Sequence, residues 1–315
     1  MSQLPFSFGN AISHYARTGG PKGFLLKFAL AYGLVAVVIQ ALGVWLQWPL
    51  YQLYIEMFAI GGGDIEAYVD DLSRVSNQTT MRSFMIMPLG ILAWVLFESA
   101  SQRRYMRGEP FSLRFSADEG RVFVVGLIWF ALAIGLYIGL IFVVLVPIFV
   151  GVAMGESGIG FALFLGGLFL LGYFLVFLWL AARLSAASAL TIRDRDIRFF
   201  ESWRVTRGKG WTIVGTWIVL GLIMMLIFLL LYLVMAGVGF GILSAMVPGL
   251  GDGSAMEGDI FPAISSPAFW GPLLAVAAVM FMVQAAFQHI LGGPAALAAL
   301  NDDAWTGNKV ATEFQ

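Results

Sequence analysis

Long apolar runs separated by polar connections organise this sequence. A helix that crosses about 30 Å of hydrocarbon needs about 20 mostly apolar residues. Six runs meet this requirement, and they predict spans at about 24–48, 84–101, 122–146, 159–190, 211–235 and 268–291. The predicted fold class is an all-α membrane protein, a bundle of six transmembrane helices. Residues 24–300 form the predicted membrane domain, and residues 1–23 and 301–315 form the two tails.

Composition agrees with this prediction. Apolar residues make up 60% of the chain and charged residues 12%, whereas charged residues are about a quarter of a typical soluble domain. The chain has no cysteine, which excludes disulfides, thiolate metal sites and cysteine nucleophiles. The first apolar run is too long for the core of a signal peptide, so we expect it to be retained.

The basic residues are divided unequally between the two sides of the predicted bundle. Sixteen of the eighteen lie in the N-terminal tail and the first turn of span one, in the second and fourth connections or in the C-terminal tail, while only Arg74 and Arg82 lie on the other side. Because basic residues concentrate in cytoplasmic connections, both termini are predicted to be cytoplasmic. The segment 183–211 alone holds seven of the basic residues.

Amphipathic patterns predict interfacial helices beside the spans. Residues 5–15 mix aromatic and polar side chains, which favours a helix lying on the membrane. Asp64 is placed to cap a second helix, with Ile65, Tyr68, Val69 and Leu72 on one face. In the fourth connection, Asp196 is placed to cap a third helix, which Gly208 would end in the left-handed conformation.

Two local signals mark helix boundaries. Ser116 and Glu119 have the spacing of a capping box directly before the third span. Near the end of the sixth span, Gly292-Gly293-Pro294 predicts a break followed by a short helix, because two glycines end a helix and proline suits a first turn.

Ionisable groups inside spans are the strongest functional signal in a membrane sequence, because each is costly unless it is paired or hydrated. Glu98 and Arg183 are predicted to pair across spans two and four. The predicted pocket for a lipid phosphate or another anion opens to the cytoplasmic leaflet, and its members are Glu98, Arg183, Gln284, Gln288 and His289. In the alternative, Arg183 and Lys27 reach the interface, and Glu98 bonds locally with Gln102 or Arg103.

Basic and aromatic residues at the predicted cytoplasmic interface are the second group of candidates. Each basic residue near an anionic leaflet adds about 1 kcal/mol of attraction, and tryptophan is typical of the headgroup region. The predicted headgroup contacts are Arg103, Arg104, Arg107, Trp203, Arg204, Arg207 and Lys209.

One stretch resembles a known family. Small residues leave the fourth span, Glu201-Ser202-Trp203-Arg204-Val205-Thr206-Arg207-Gly208 follows, and a tryptophan opens the next span. This pattern, over about 181–215, resembles bacterial integral membrane proteins related to the membrane domain of glycerophosphoryl diester phosphodiesterases. The resemblance implies a membrane module in the bacterial inner membrane. It does not imply hydrolase activity, because catalysis in that family belongs to a separate soluble domain.

Motifs for chemistry are missing from the sequence. There is no HExxH, nucleophile elbow or P-loop, so we predict no enzyme activity, no cofactor and no metal. Topology explains the basic residues, so nucleic acid is not an expected partner. The lead prediction is a non-enzymatic protein that engages phospholipids, a membrane-protein partner or a second copy through its basic face and helps to organise the envelope. The alternative is a lipid or small-anion transporter that uses the polar pocket.

Overall fold

The computed structural model describes residues 4–59, 65–155, 158–250, 257–264 and 266–303. These residues form helices and connecting turns without any strand, which confirms the all-α fold class. The helices are α1 (Phe8–Ser13), α2 (Phe24–Ala59), α3 (Ile65–Ser83), α4 (Met87–Arg107), α5 (Ala117–Ala153), α6 (Gly158–Leu184), α7 (Ala187–Asp194), α8 (Glu201–Val205), α9 (Gly210–Met246), α10 (Glu257–Ile264) and α11 (Pro267–Leu300), with a 3-10 turn at His14–Arg17.

Six segments of the described chain are long and apolar enough to cross a membrane, as the sequence predicts. They run Phe24–Met57, Tyr68–Arg107, Ala117–Ala153, Gly158–Asp194, Gly210–Met246 and Pro267–Leu300. Large apolar side chains stand exposed along them, including Leu163 (74%) and Phe164 (68%) on α6. Exposed apolar side chains are compatible with a hydrocarbon environment. A helix also meets the second requirement of that environment, because its backbone polar groups are bonded within the helix. The chain is a multi-pass membrane protein.

The helices are longer than the apolar runs that predict them. Prolines at positions 49 and 147 lie inside α2 and α5 and do not end them. Proline is tolerated within transmembrane helices because neighbouring groups and local adjustment satisfy the backbone positions that it frees.

The chain divides into two compact units. The first comprises Met1–Lys22, Val95–Leu220 and His289–Gln315. Its centre is α7, in which every residue from Ala187 to Ile192 is buried. Ala189 and Leu190 of α7 pack against Ala296 and Ala299 of α11, together with Tyr105, Ala186 and Val205. Because these side chains are small, the backbones can approach closely.

The fourth span does not continue unbroken into α7, which corrects the expectation of one helix from 159 to 190. Helix α6 ends at Leu184, and a turn at Ser185 and Ala186 precedes α7. Ser202 and Thr206 donate hydrogen bonds of 2.9 and 2.8 Å to the backbone carbonyl of Arg183. The Ser202 hydroxyl also accepts the backbone N–H of Ala186 at 3.0 Å. The end of α6 is therefore capped by side chains from the α8 region.

The predicted break in the last helix is wrong. Helix α11 runs without interruption through Gly292, Gly293 and Pro294. A Cβ atom on Gly293 would lie 3.2 Å from the Tyr105 hydroxyl, and one on Gly292 would lie 3.3 Å from Nε2 of Gln102. The two glycines therefore permit close packing inside a helix and do not end one. The proline beside them costs one backbone hydrogen bond, a cost that the surrounding packing outweighs.

The helix boundaries predicted from capping residues are confirmed in part. The capping box is confirmed, with Ser116 and Glu119 bonded reciprocally at the start of α5. Helix α3 is present, but its proposed cap, Asp64, lies outside the described residues. The third amphipathic helix is shorter than predicted. Asp196 accepts the N–H of Ile197 and pairs with Arg198 at 3.1 Å, but it does not cap a helix, because α8 begins at Glu201. Gly208 is left-handed, as predicted, with φ of 73°.

The second unit comprises Gly23–Trp94 and Gly221–Gln288. Helices α2 and α3 pack together in it, and Gln47 on α2 donates a 3.3 Å hydrogen bond to Ser83 at the end of α3. Gly33 of α2 lies against Met282 of α11, where a Cβ atom would meet Cγ of that methionine at 2.7 Å. A glycine is therefore required at this helix contact.

Candidate functional site

The predicted pair between Glu98 and Arg183 does not form in the structure, although both residues are described. Glu98 instead accepts a 2.9 Å hydrogen bond from Gln102, one turn along α4, and its carboxyl lies close to the side chain of Ser188 of α7. The local alternative for Glu98 therefore fits the geometry, while Arg183 has different neighbours. Gln284 is exposed and Gln288 half-buried. Both belong to the second unit, and a pocket that contains all five residues stays a prediction.

A buried polar cluster lies in the first unit, and we call its six members the polar core: His14, Glu98, Ser101, Gln102, Tyr105 and His289. The Tyr105 ring stacks on both histidines, with centroids 5.3 Å from His14 and 4.5 Å from His289. Its hydroxyl donates a 2.7 Å hydrogen bond to the His289 carbonyl. The N-terminal tail, α4 and α11 are joined by these contacts.

Ser101 and His289 have the spacing of a nucleophile and a base, since Oγ and Nδ1 are 2.7 Å apart. Each residue is only 2% exposed, and neither lines the groove around Gly151 and Ala162 or the groove around Gln47 and Ser83. A nucleophile must also reach a substrate. The arrangement therefore satisfies two buried polar groups and joins α4 to α11, which is the role that the packing supports.

His14 is the unusual member of the polar core. It is 5% exposed, and neither ring nitrogen has a hydrogen-bond partner in the structure. Burial lowers the pKa of His14 from 6.5 to about 4. The neutral ring is therefore the stable form at neutral pH, and it holds the tail through stacking.

Sequence reasoning did not find the cluster around Tyr105. Of its members, only Glu98 and His289 were predicted as site residues. Ser101 and Tyr105 meet His289 across 188 and 184 sequence positions, a separation that leaves no local pattern. The glycine pair at 292 and 293 was the available signal, because glycines inside a helix mark a close neighbour.

The arginines at the end of α4 that were predicted to contact headgroups have partners inside the protein. Arg103 is 1% exposed and pairs with Glu119 of the capping box. Arg107 pairs with Asp118 at 2.7 Å, and Arg104 donates a 3.2 Å hydrogen bond to Thr18 of the tail. The prediction of headgroup contact does not hold for Arg103, because its charge is used inside the protein.

The end of α11 holds a second set of polar contacts. Lys209 donates to the Asn301 carbonyl at 2.7 Å, and Arg193 donates to the Ala299 carbonyl at 2.6 Å. Cations at a helix C-terminus satisfy its unpaired carbonyls and its dipole. Buried Asp302 pairs with Arg204 at 2.8 Å and with Arg193 at 3.2 Å. Arg204 and Lys209 therefore have structural partners besides any lipid.

These contacts shift the pKa values of the groups concerned. Burial alone would raise the pKa of Asp302, but hydrogen bonds and attraction from Arg204 and Arg193 outweigh it, so this pKa is lowered. The hydrogen bond with Asp302 raises the pKa of Arg204. Burial lowers the pKa of Lys209.

We call the stretch from Arg195 to Trp211 the interfacial segment. It exposes four large apolar side chains: Ile197 (43%), Phe200 (69%), Trp203 (39%) and Trp211 (62%). Arg195 and Arg207 are also exposed, and neither forms an ion pair with a described residue. Aromatic rings beside unpaired arginines are typical of the membrane interface.

Arg183 packs beneath this segment. Its guanidinium carbon lies 4.9 Å from the centroid of the Trp203 ring, and the same ring meets Trp179 edge-on at 5.0 Å. A Cβ atom on Gly210 would lie 3.4 Å from Cδ of Arg183. Of the predicted pocket and headgroup residues, the structure thus brings Arg183 and Trp203 together.

Comparison of the chain with protein-family models, curated proteins and solved structures finds no match. The resemblance of residues 181–215 to the membrane domain of glycerophosphoryl diester phosphodiesterases therefore stays an expectation. The structure adds a physical role for two residues of that pattern, since Ser202 and Thr206 cap α6.

Proposed function

We propose that this chain is a non-enzymatic protein of the bacterial cytoplasmic membrane that binds anionic phospholipids through its interfacial segment and so helps to organise the envelope. Both termini and the interfacial segment lie on the cytoplasmic side in this proposal, as the distribution of basic residues predicts.

One observation supports the proposal above the others. Within one short stretch, exposed Phe200, Trp203 and Trp211 accompany two exposed arginines that have no carboxylate partner in the described chain. Most other arginines of the first unit are neutralised internally, as with Arg103 and Arg107. A soluble surface would expose so many aromatic rings at a cost, whereas a headgroup layer accommodates the rings and attracts the charges.

Lipid mass spectrometry tests the proposal. Full-length protein is purified in mild detergent from membranes of known composition, and the retained phospholipids are counted at low and high salt. We expect enrichment of anionic over zwitterionic phospholipids, with a loss at high salt because the attraction is electrostatic. Retained lipid that matches the bulk membrane at both salt concentrations would contradict the proposal. The same sample reports a co-purifying membrane protein or a second copy of the chain.

A transporter is the second candidate, because the second unit carries a polar groove. The groove has a volume of about 320 Å³ and is lined by Gln40, Gln47, Tyr51 and Ser83 among apolar residues. Its amides and hydroxyls form hydrogen bonds but carry no charge, so a neutral polar solute or a lipid hydroxyl suits it better than an anion. Lipid translocation in liposomes that slows on Gln47→Leu substitution would favour transport.

A further inference from the structure

Arg183 is a buried arginine with an unsatisfied donor. It is 7% exposed, and its Nε atom is buried with no hydrogen-bond partner among the residues that the structure describes. Its backbone carbonyl is fixed by Ser202 and Thr206, and its guanidinium lies over the Trp203 ring. A buried charged donor that lacks a partner is costly, so its presence calls for a ligand.

A second cation stands close to Arg183. Arg207 is near enough for the two positive charges to repel each other, and it is exposed. Neither arginine has a carboxylate within 4.0 Å among the residues that the structure describes. In contrast, Asp302 balances the charge of Arg204 at 2.8 Å, so this part of the protein neutralises some arginines and leaves Arg183 and Arg207 without a carboxylate among the described residues.

We infer that Arg183, Trp203 and Arg207 form a binding site for a phosphate group, supplied by a membrane lipid headgroup or by free phosphate. This inference rests on the proposed function, because it names the chemical group that the interfacial segment binds. Two guanidinium groups can donate several hydrogen bonds to one phosphate, and such charge-assisted pairs are stronger than neutral ones.

The packing around Arg183 also reduces the cost of binding a lipid headgroup. Stacking on Trp203 fixes the plane of the Arg183 guanidinium, and the hydroxyl caps fix its backbone, so little side-chain freedom is left to lose on binding. Phe200 and Trp211, which are 69% and 62% exposed, provide apolar surface for the acyl region of a lipid.

Substitutions of single arginines separate this site from general attraction to the leaflet. Arg207→Gln is the main variant, because Arg207 is exposed and makes no ion pair within the described part of the chain. Arg183→Gln is the second variant. Trp203→Phe is the third, and it retains an aromatic ring against Arg183. Arg195→Gln is the matched control for general attraction to the leaflet, since Arg195 is exposed in the same segment, has no ion pair with a described residue and is not a member of the three-residue site. Folding of every variant is checked by its unfolding midpoint and elution profile in detergent.

Native mass spectrometry measures binding of phosphatidylglycerol to each full-length variant, with diacylglycerol as the probe that lacks phosphate. We expect Arg207→Gln and Arg183→Gln to weaken one saturable phosphatidylglycerol site by about tenfold or more, which is the loss of a charge-assisted hydrogen bond. Trp203→Phe should weaken it less, Arg195→Gln should change it by less than about twofold by the same scale, and diacylglycerol should not occupy it.

Competition with inorganic phosphate shows whether the bound phosphate group comes from a lipid headgroup or from free phosphate. Displacement of phosphatidylglycerol by millimolar phosphate, lost in Arg207→Gln, indicates a site for free phosphate; no displacement indicates a site for a lipid headgroup. Either result supports a phosphate site. Folded Arg183→Gln and Arg207→Gln variants that bind like Arg195→Gln would overturn the inference. In that case a salt-sensitive enrichment of anionic lipid in the wild type would leave the proposed function standing, whereas its absence would overturn both.

Discussion

The Ser202 hydroxyl donates a 2.9 Å hydrogen bond to the backbone carbonyl of Arg183. This bond joins a residue of the short helix α8 to the last turn of α6, and Thr206 adds a second bond to the same carbonyl. Because the cap ends α6, α7 can turn into the centre of the first unit, while Arg183 remains beneath Trp203. One capping interaction therefore controls both the packing and the position of the candidate phosphate ligand.

Removal of the cap should destabilise the protein. Ser202→Ala leaves the buried N–H of Ala186 without its acceptor and weakens the cap on Arg183, so we expect a loss of about 1–3 kcal/mol in unfolding free energy. Denaturant unfolding in detergent measures the loss. Ser73→Ala, at an exposed position of α3, is the control. An equal effect of both substitutions would refute the capping role.

Removing one partner of the buried ion pair between Arg103 and Glu119 should strongly lower the unfolding free energy. Arg103→Ala leaves a buried carboxylate without its partner, and the expected cost is about 3–5 kcal/mol. Arg114 pairs with Glu109 but is 45% exposed, so Arg114→Ala should cost only about 0–1 kcal/mol. Unfolding midpoints of the two variants, measured side by side in detergent, check this order. Equal costs would show that Arg103 is not buried in the working protein.

Acid should weaken the attachment of the N-terminal tail through His14. Its pKa is about 4 in the folded protein, against the ordinary histidine value of 6.5 in an unfolded chain. The unfolded chain therefore takes up the proton first, so stability falls as pH drops from 6.5 to 4 and this contribution is constant below 4. The total effect is at most about 3.5 kcal/mol, from about 1.4 kcal/mol per pKa unit.

The substitution that isolates this effect is His14→Phe, which retains a ring against Tyr105 and removes the titrating group. The slope of stability against pH between 6.5 and 4 should be shallower in His14→Phe than in the wild type. Parallel slopes would mean that other groups produce the acid sensitivity.

Asp302 should contribute in a lower pH range. Its pKa is lowered from 3.8 by Arg204 and Arg193 against the effect of burial. Its contribution is therefore complete above about 3.8 and is lost as pH falls through the lower pKa of the folded state. Asp302→Asn should lower the unfolding midpoint at pH 7, and the difference from the wild type should shrink below pH 4. A difference that persists unchanged at pH 2 would contradict the ion-pair assignment.

Apolar runs predicted the six spans well, because hydrocarbon imposes one simple requirement on length and composition. The capping box at Ser116 and Glu119 was also predictable, since both partners lie within four residues. The break between α6 and α7 was not, because the groups that cap α6 come from residues 19 and 23 positions later in the sequence.

The candidate site was predicted only in part. Arg183 and Trp203 were identified from their positions at a span end and in an aromatic belt, but their mutual contact depends on tertiary packing. Arg103 was expected at the surface because basic residues near span ends are attracted to headgroups. Its burial depends on Glu119, and the capping box gave no indication of this second partner.

Site-directed spin labelling tests most directly whether the interfacial segment lies in the headgroup layer. The chain has no natural cysteine, so single labels at Phe200→Cys and Arg195→Cys can be compared in liposomes that contain anionic lipid. We expect the label at 200 to be more accessible to oxygen than to a water-soluble nickel reagent, and the label at 195 to show the reverse. Equal access of the nickel reagent to both positions would place the segment in water and contradict the proposed lipid-binding role.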